Sequence, residues 1–176
     1  MSDKPLNAAR FVWAALLAGA IAHVALVQAV PRVLMDKAIE RIAADGANAW
    51  RVAERVTPES RQIVRPSPDF AYSACAYDLS DGPVTIRVAP WSAYWSLSLY
   101  ADNSDNFFVV DDREVREGVT ITLVQRGRAA PEDSPRVVRS PSARGIALIR
   151  RLAPSPDDYA AAAVVARGDV CAATAS

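Results

Sequence analysis

The sequence predicts a mainly β protein: an antiparallel β-sandwich, jelly-roll-like, preceded by an N-terminal transmembrane helix and closed by a C-terminal α-helix. Three observations predict it. Residues 11–30 form an apolar run interrupted by His23 and Gln28 alone. From Tyr72 onward the hydrophobic pattern has period two, cut into short segments by clusters of Asp, Asn, Gly and Pro. Near the end, Ser155, Pro156 and Asp158 stand as N-cap, proline at N1 and acidic N3 ahead of an alanine-rich stretch. No helical pattern intervenes between the strand segments, which selects a sandwich or barrel over a parallel α/β sheet.

Composition bounds the chemistry. At 176 residues and 51% hydrophobic content the chain holds one ordinary domain and a short accessory segment. Twenty basic and twenty acidic residues cancel, so a nucleic-acid partner is not expected. The single histidine, His23, lies inside the apolar run, which leaves the soluble part without one for a Ser-His or Cys-His pair or a His-ligated metal. Cys75 and Cys171 are too few for a four-thiolate zinc site and do not have Cys-x-x-Cys spacing. The seven glycines include no phosphate-cradling loop and no dinucleotide fingerprint. No cofactor or metal is expected, and the balance leans away from an enzyme.

In chain order, residues 1–10 read as a cytoplasmic tail and 11–30 as the membrane helix, with Lys4 and Arg10 before it and Trp13 placed as an interfacial aromatic. A cleavable signal peptide with its cut after Ala29 is the competing reading. Either sends the rest of the chain out of the cytoplasm. Arg32, Lys37 and Arg41 balance the basic residues on the other side, so the reverse orientation stays open. Residues 31–57 read as a juxtamembrane helical segment, with Ile39, Ile42, Ala43, Ala47 and Trp50 at helical spacing, and Gly46 weakens its middle. The sandwich is expected over 58–176.

Residues 65–83 supply the clearest strand, entered through prolines and left through an Asp-Gly turn. Strands are expected next around Val84–Val88, at Trp95, Leu97 and Leu99, at 107–110, at Val119, Ile121 and Leu123, at 136–139 and at 146–152. The last helix should run over 156–167 and stop at Gly168. Cys75 and Cys171 either form a disulfide tying the C-terminus to the core or are two buried thiols.

The candidate site residues are Asp69, Tyr72, Trp91, Tyr94 and Arg150. Asp69 and Asp78 do not form a glycosidase pair, because the strand between them holds them roughly 30 Å apart. Asp78 reads as a turn residue bonding backbone near Ser80 and Gly82. The acidic stretch 101–112 fails the EF-hand template, with Phe107 where glycine is needed and Arg113 where the bidentate Glu belongs. Trp91, Tyr94, Trp95 and Tyr100 contain the makings of an aromatic platform for a sugar or peptide, although alternation puts Tyr94 and Trp95 on opposite faces.

Pro66, Asp69, Tyr72, Ser73, Asp78, Leu79, Gly82 and Pro83 resemble the signature of the bacterial family called domain of unknown function 1254, in which a Pro-Asn-x-Asp-x-x-Tyr-Ser segment runs into Asp-Leu-Ser-x-Gly-Pro-Val. Tyr94-Trp95, the block 139–150 and the Pro156-Asp157-Asp158 helix start resemble its later blocks. The chain departs from the pattern at Ser67, at Pro68-Asp69 and at Ala93. The resemblance implies a β-rich domain of envelope-associated proteins. A partly buried ion pair between Asp69 and Arg150 is expected as the structural reason for both residues standing in that pattern. It also implies a companion, domain of unknown function 1214, expected here as a separately encoded protein. The resulting expectation is a single-pass bacterial inner-membrane protein with a periplasmic, non-catalytic domain that pairs with another envelope protein. The alternative is a carbohydrate-binding or carbohydrate-processing domain acting on cell-envelope glycans.

Overall fold

The computed structural model describes residues 4–60 and 66–174. Residues 1–3 of the expected tail, Arg65 and the last two residues lie outside them. The chain runs as α1 (Lys4–Ile42), β1 (Arg51–Val52), β2 (Phe70–Asp78), β3 (Val84–Val88), β4 (Trp95–Ala101), β5 (Asn106–Asp111), β6 (Val119–Gln125), β7 (Val137–Ser140), β8 (Arg144–Leu152), α2 (Pro156–Val165), a 3-10 turn over Ala166–Gly168, and β9 (Val170–Ala173). A five-stranded sheet in the order β1-β2-β8-β4-β5 packs on a four-stranded sheet in the order β7-β6-β3-β9. The fold is the expected mainly β sandwich. Its pairs are antiparallel except β6 with β7, which is parallel.

Alternation builds the core. Cys75 and Tyr77 of β2, Trp95, Leu97 and Leu99 of β4, and Ala147 and Ile149 of β8 face Val84, Ile86 and Val88 of β3 and Ile121 and Leu123 of β6. All are at most 1% exposed, and each large aliphatic among them contributes about 1.5–3 kcal/mol by leaving water. Cys75 and Cys171 are joined by a disulfide that spans the two sheets, with Cα atoms 6.7 Å apart and a sequence separation of 96. The Asp-Gly turn after β2 places Gly82 at φ 147°, a conformation that side chains with a Cβ rarely adopt.

The juxtamembrane helix is shorter than expected. α1 runs unbroken through Pro31 and ends at Ile42, not near 57. Gly46 at φ 118° and Asn48 at φ 56° turn the chain there. The Asn48 side chain then completes the edge of β2, its Nδ2 donating to the Asp78 carbonyl at 3.0 Å and its Oδ1 accepting from the Asp78 amide at 2.8 Å. Trp50 packs on the sandwich core instead of a helical stripe. β1, at Arg51–Val52, pairs with Ser73 and Ala74, so the sheet begins ahead of residue 58.

α1 has two halves with different surroundings. Its apolar N-terminal half is exposed, with Phe11 76%, Leu17 63% and Ile21 62% accessible. Its C-terminal turns bury Met35 and Ile39 against Ala76 and Ile146, with Ala38, Ile42 and Tyr100 around them. Length and apolarity suit the exposed half equally to a single-pass membrane anchor and to a signal sequence. At the other end of the sandwich, α2 starts with a full capping box between Ser155 and Asp158 and buries Ala162 against Ala71 and Ala153.

Replacing both Cys75 and Cys171 by Ala should lower unfolding stability by about 2–5 kcal/mol, because the bridge closes a long loop in the unfolded chain. Denaturant titration of the full chain in detergent reads this, and an unchanged midpoint would show that the sheets do not need the staple.

Candidate functional site

The outer face of the five-stranded sheet carries the even-numbered residues of β2, β8 and β4. The register aligns Tyr72 with Arg150, Arg150 with Ser96, and Ser96 with Asp111, forming one row across four strands. α1 covers the row that contains Ala76, Ile146 and Tyr100. The Tyr72 row stays uncovered by that contact. There Arg150 donates from Nη2 to Tyr100 Oη at 3.0 Å, and Tyr72 Oη accepts from the Ser67 amide at 3.0 Å. Phe70 stands edge-on to Tyr94 at 6.0 Å and tilted to Tyr72 at 6.3 Å between ring centres. Ser96 is 2% exposed, and its Oγ has no hydrogen-bond partner among the described residues.

Three of the five candidate residues therefore come together: Tyr72, Tyr94 and Arg150. Asp69 does not join them. It sits before β2, where its carbonyl accepts from the Ala153 amide at 2.7 Å and its carboxylate is exposed. Three positions from Tyr72, it falls on the opposite phase of the alternation, so the expected Asp69–Arg150 ion pair is not formed. Trp91 also lies elsewhere. Its indole N–H donates to the Leu152 carbonyl at 3.1 Å, and its ring packs beside Ala71, Ala153 and Ala162. One side of Trp91 borders a shallow cleft of about 550 Å³ lined by Pro90, Ser92, Ala93, Asp112, Arg116 and Glu117.

The buried ion pair is one residue further along β8. Arg151 points inward with Ala147 and Ile149 and meets Asp169 in a two-pronged contact, Nη1 to Oδ2 at 2.8 Å and Nη2 to Oδ1 at 2.7 Å. Both side chains are almost fully enclosed, 2% and 0% exposed. The Ala89 amide donates to Asp169 Oδ1 at 2.9 Å, and its carbonyl accepts from Arg151 at 3.2 Å. The pair thus ties β8, the end of β3 and the start of β9 together. Its signal in the sequence was the alternation itself, since an arginine in core phase needs a carboxylate. Next to it, Arg151 Nε and the Trp95 indole nitrogen are buried without a partner among the described residues, which places stability demands on the ion pair's own geometry.

The motif block after β7 is structural. Tyr77 Oη lies 3.0 Å from both the Tyr100 carbonyl and Ser140 Oγ. Ser140 Oγ donates to the Ser142 carbonyl, and Ser142 Oγ donates to the Arg144 carbonyl, each at 2.7 Å. A Cβ on Gly145 would collide with the Tyr77 hydroxyl and the Tyr100 carbonyl, so that position excludes any larger residue. Burial pushes the Tyr77 phenol up, with the Asp102 charge adding to it and bonds from Ser140 and Ser142 opposing. Hydrogen bonds from Ser80 hold the Asp78 carboxyl below the usual range, and Asp78 Oδ1 accepts from the Ser80 amide at 2.8 Å. Asp78 is thus a turn residue.

Fold and surface define a two-sheet β-sandwich with a long apolar helix in front and an aromatic and arginine-bearing outer face. The chain belongs to the family described as protein of unknown function (DUF1254), whose model matches residues 47–172. Among solved structures, the VPA0106 protein from Vibrio parahaemolyticus matches with a TM-score of 0.63 at 15% identity, over 83% of this chain and 36% of that one. That likeness shows the fold, and this chain spans about a third of that protein's length. An uncharacterised protein from Burkholderia cenocepacia matches with a TM-score of 0.46 at 19% identity, over 74% of this chain and 37% of that one. None of the curated proteins matches.

Two outcomes test this division between structural and surface residues. Arg151→Ala should cost about 3–5 kcal/mol by stranding the Asp169 carboxylate in the core. Arg150→Ala, by contrast, should cost about 1 kcal/mol or less, and equal losses would contradict the assignment. For Tyr77, the folded phenol ionises above its unfolded value, so its contribution is fully present below about pH 10 and is lost as pH rises through the folded value. Tyr77→Phe should lose about 1 kcal/mol at neutral pH and show a shallower fall in stability above pH 10 than the parent, read by denaturation at a series of pH values.

Proposed function

We propose that this chain is a membrane-anchored interaction protein of the bacterial envelope, a non-catalytic periplasmic domain that pairs with a second envelope protein. The observation that carries the reading is the dual role of α1. Its N-terminal half exposes an apolar surface long enough to cross a bilayer, while Met35 and Ile39 of the same helix are buried in the sheet. A helix that is anchored and docked at once holds the domain beside the inner membrane and leaves the Tyr72 row free to meet a partner.

The composition of that row supports a protein partner. Aromatic rings and a guanidinium dominate binding energy at protein interfaces, and Phe70, Tyr72, Tyr94 and Arg150 supply both on one face. A separately encoded protein of the domain of unknown function 1214 type is the partner proposed. The fold's occurrence within a longer Vibrio chain is compatible with its serving as one part of a larger unit. The glycan reading draws less support, because it needs Trp91 and Tyr94 on one platform. Trp91 instead packs among Ala71, Ala153 and Ala162, while Tyr94 stands edge-on to Phe70.

Affinity purification of the full chain from mild detergent should recover a second envelope protein. Tyr72→Ala and Arg150→Ala should each weaken that recovery by about tenfold or more, the scale of an interface hot spot. Recovery of a lone monomer, or of a partner indifferent to both substitutions, would contradict the proposal.

A further inference from the structure

The path of α1 across the sheet fixes which edge of the sandwich meets the bilayer. Taken from its C-terminus backward, α1 visits the strands in their spatial order. The Ile42 carbonyl accepts from Arg51 Nε of β1. Ile39 and Met35 pack on Ala76 of β2 and Ile146 of β8, with Tyr100 of β4 alongside. The Pro31 carbonyl accepts from Ser104 Oγ, in the turn between β4 and β5, at 3.0 Å. The sheet order is β1-β2-β8-β4-β5, so the helix crosses it from one edge toward the other.

The dimensions agree. At 1.5 Å per residue the helix advances about 16 Å from Ile42 to Pro31, and the three to four interstrand spacings from β1 to the β4–β5 turn come to about 14–19 Å. Residues 11–30 therefore leave past β5, and the apolar run begins at the level of the β4–β5 turn. This orientation lays the strands roughly parallel to the membrane plane, with β5 nearest to it and β1 farthest away.

β5 has the chemistry for that position. Its sequence is Asn106-Phe107-Phe108-Val109-Val110-Asp111, with Val109 52% exposed and both phenylalanines partly so. Its register with β4 puts Asp112 N–H on the Trp95 carbonyl, and alternation then turns the backbone groups of Asp111 and Val109 toward the open edge, as far as the register shift opposite Leu99 and Tyr100. An open apolar edge invites strand addition unless something covers it. We infer that the headgroup layer of the bilayer covers it, with Val109 seated in the interface and headgroups or their water meeting the edge amides. Asp102, Asp105 and Asp111 flank the strand and Arg136 stacks on Phe108 at 5.3 Å. This predominance of carboxylates favours zwitterionic over anionic lipid. The inference rests on reading α1 as a membrane helix, and the test separates the two.

Single cysteines at Val109→Cys, Val52→Cys and Leu17→Cys would carry an environment-sensitive fluorophore in the full chain, with Cys75 and Cys171 left bridged. The chain would be reconstituted into phosphatidylcholine nanodiscs containing nitroxide lipids, with the spin label at the headgroup or along the acyl chain. The expected result is strong quenching at Leu17 by acyl-chain nitroxide and severalfold stronger headgroup-nitroxide quenching at Val109 than at Val52, on the far edge. Quenching at Leu17 with Val109 no different from Val52 would overturn the inference and leave the anchor standing. Absence of quenching at Leu17 would overturn both.

Discussion

The packing of the last turns of α1 on the outer face of the five-stranded sheet is the constraint on which the remaining structure depends. Met35 and Ile39 find room because the strands below them present Ala76 and, one row away, Ala74, with Ile146 beside them. Small residues on β2 and a branched one on β8 make a shallow seat for a helix crossing the strands. Arg51 secures the end of the helix through the Ile42 carbonyl and Asp45. The same contact divides the outer face into a covered end and an open end, and the open end holds Tyr72, Arg150 and Tyr94.

A second set of interactions fixes the C-terminus. The capping box of α2 sets where the chain turns away from β8, the Arg151–Asp169 pair returns it to the core, and the Cys75–Cys171 bridge follows two residues later. β9 then adds to the edge of the second sheet through Ile86 and its neighbours. Burying an ion pair is costly unless its remaining groups are bonded, and here the Ala89 amide and carbonyl bond Asp169 Oδ1 and Arg151 Nη2, while Arg151 Nε has no partner among the described residues. The pair works together with the disulfide at a place where a four-residue strand has little else to hold it.

Much of the fold could be read in the sequence because its code is local. Val84, Ile86 and Val88, or Trp95, Leu97 and Leu99, announce a strand by spacing alone, and Ser155 to Asp158 announce a helix start. The elements that escaped are those formed by tertiary contact. β1 is two residues long and exists through Ser73 and Ala74; β9 is held by Asp169 and Cys171. The juxtamembrane helix stops at Ile42 because Gly46 and Asn48 take positive φ, a choice repaid by the bonds of Asn48 to Asp78 across 30 positions. For the site, Tyr72, Tyr94 and Arg150 were legible as residues, but their union on one face depends on the strand order β2-β8-β4, which alternation does not reveal. The choice of Arg150 over Arg151 for the ion pair failed on a shift of one residue, which in a strand exchanges the two faces.

Taken together, helix, sheet and C-terminal clamp describe a sandwich held in one attitude to its long apolar helix, with one edge turned toward the end of the apolar run and one face open. The central claim is that α1 and the sandwich move as one body. Pulsed electron resonance between spin labels at Leu17→Cys and Val164→Cys, both on exposed positions, measures this directly in a reconstituted bilayer. A single narrow distance distribution is the predicted result; a broad distribution spanning tens of ångströms would show a hinge between helix and domain and contradict the account.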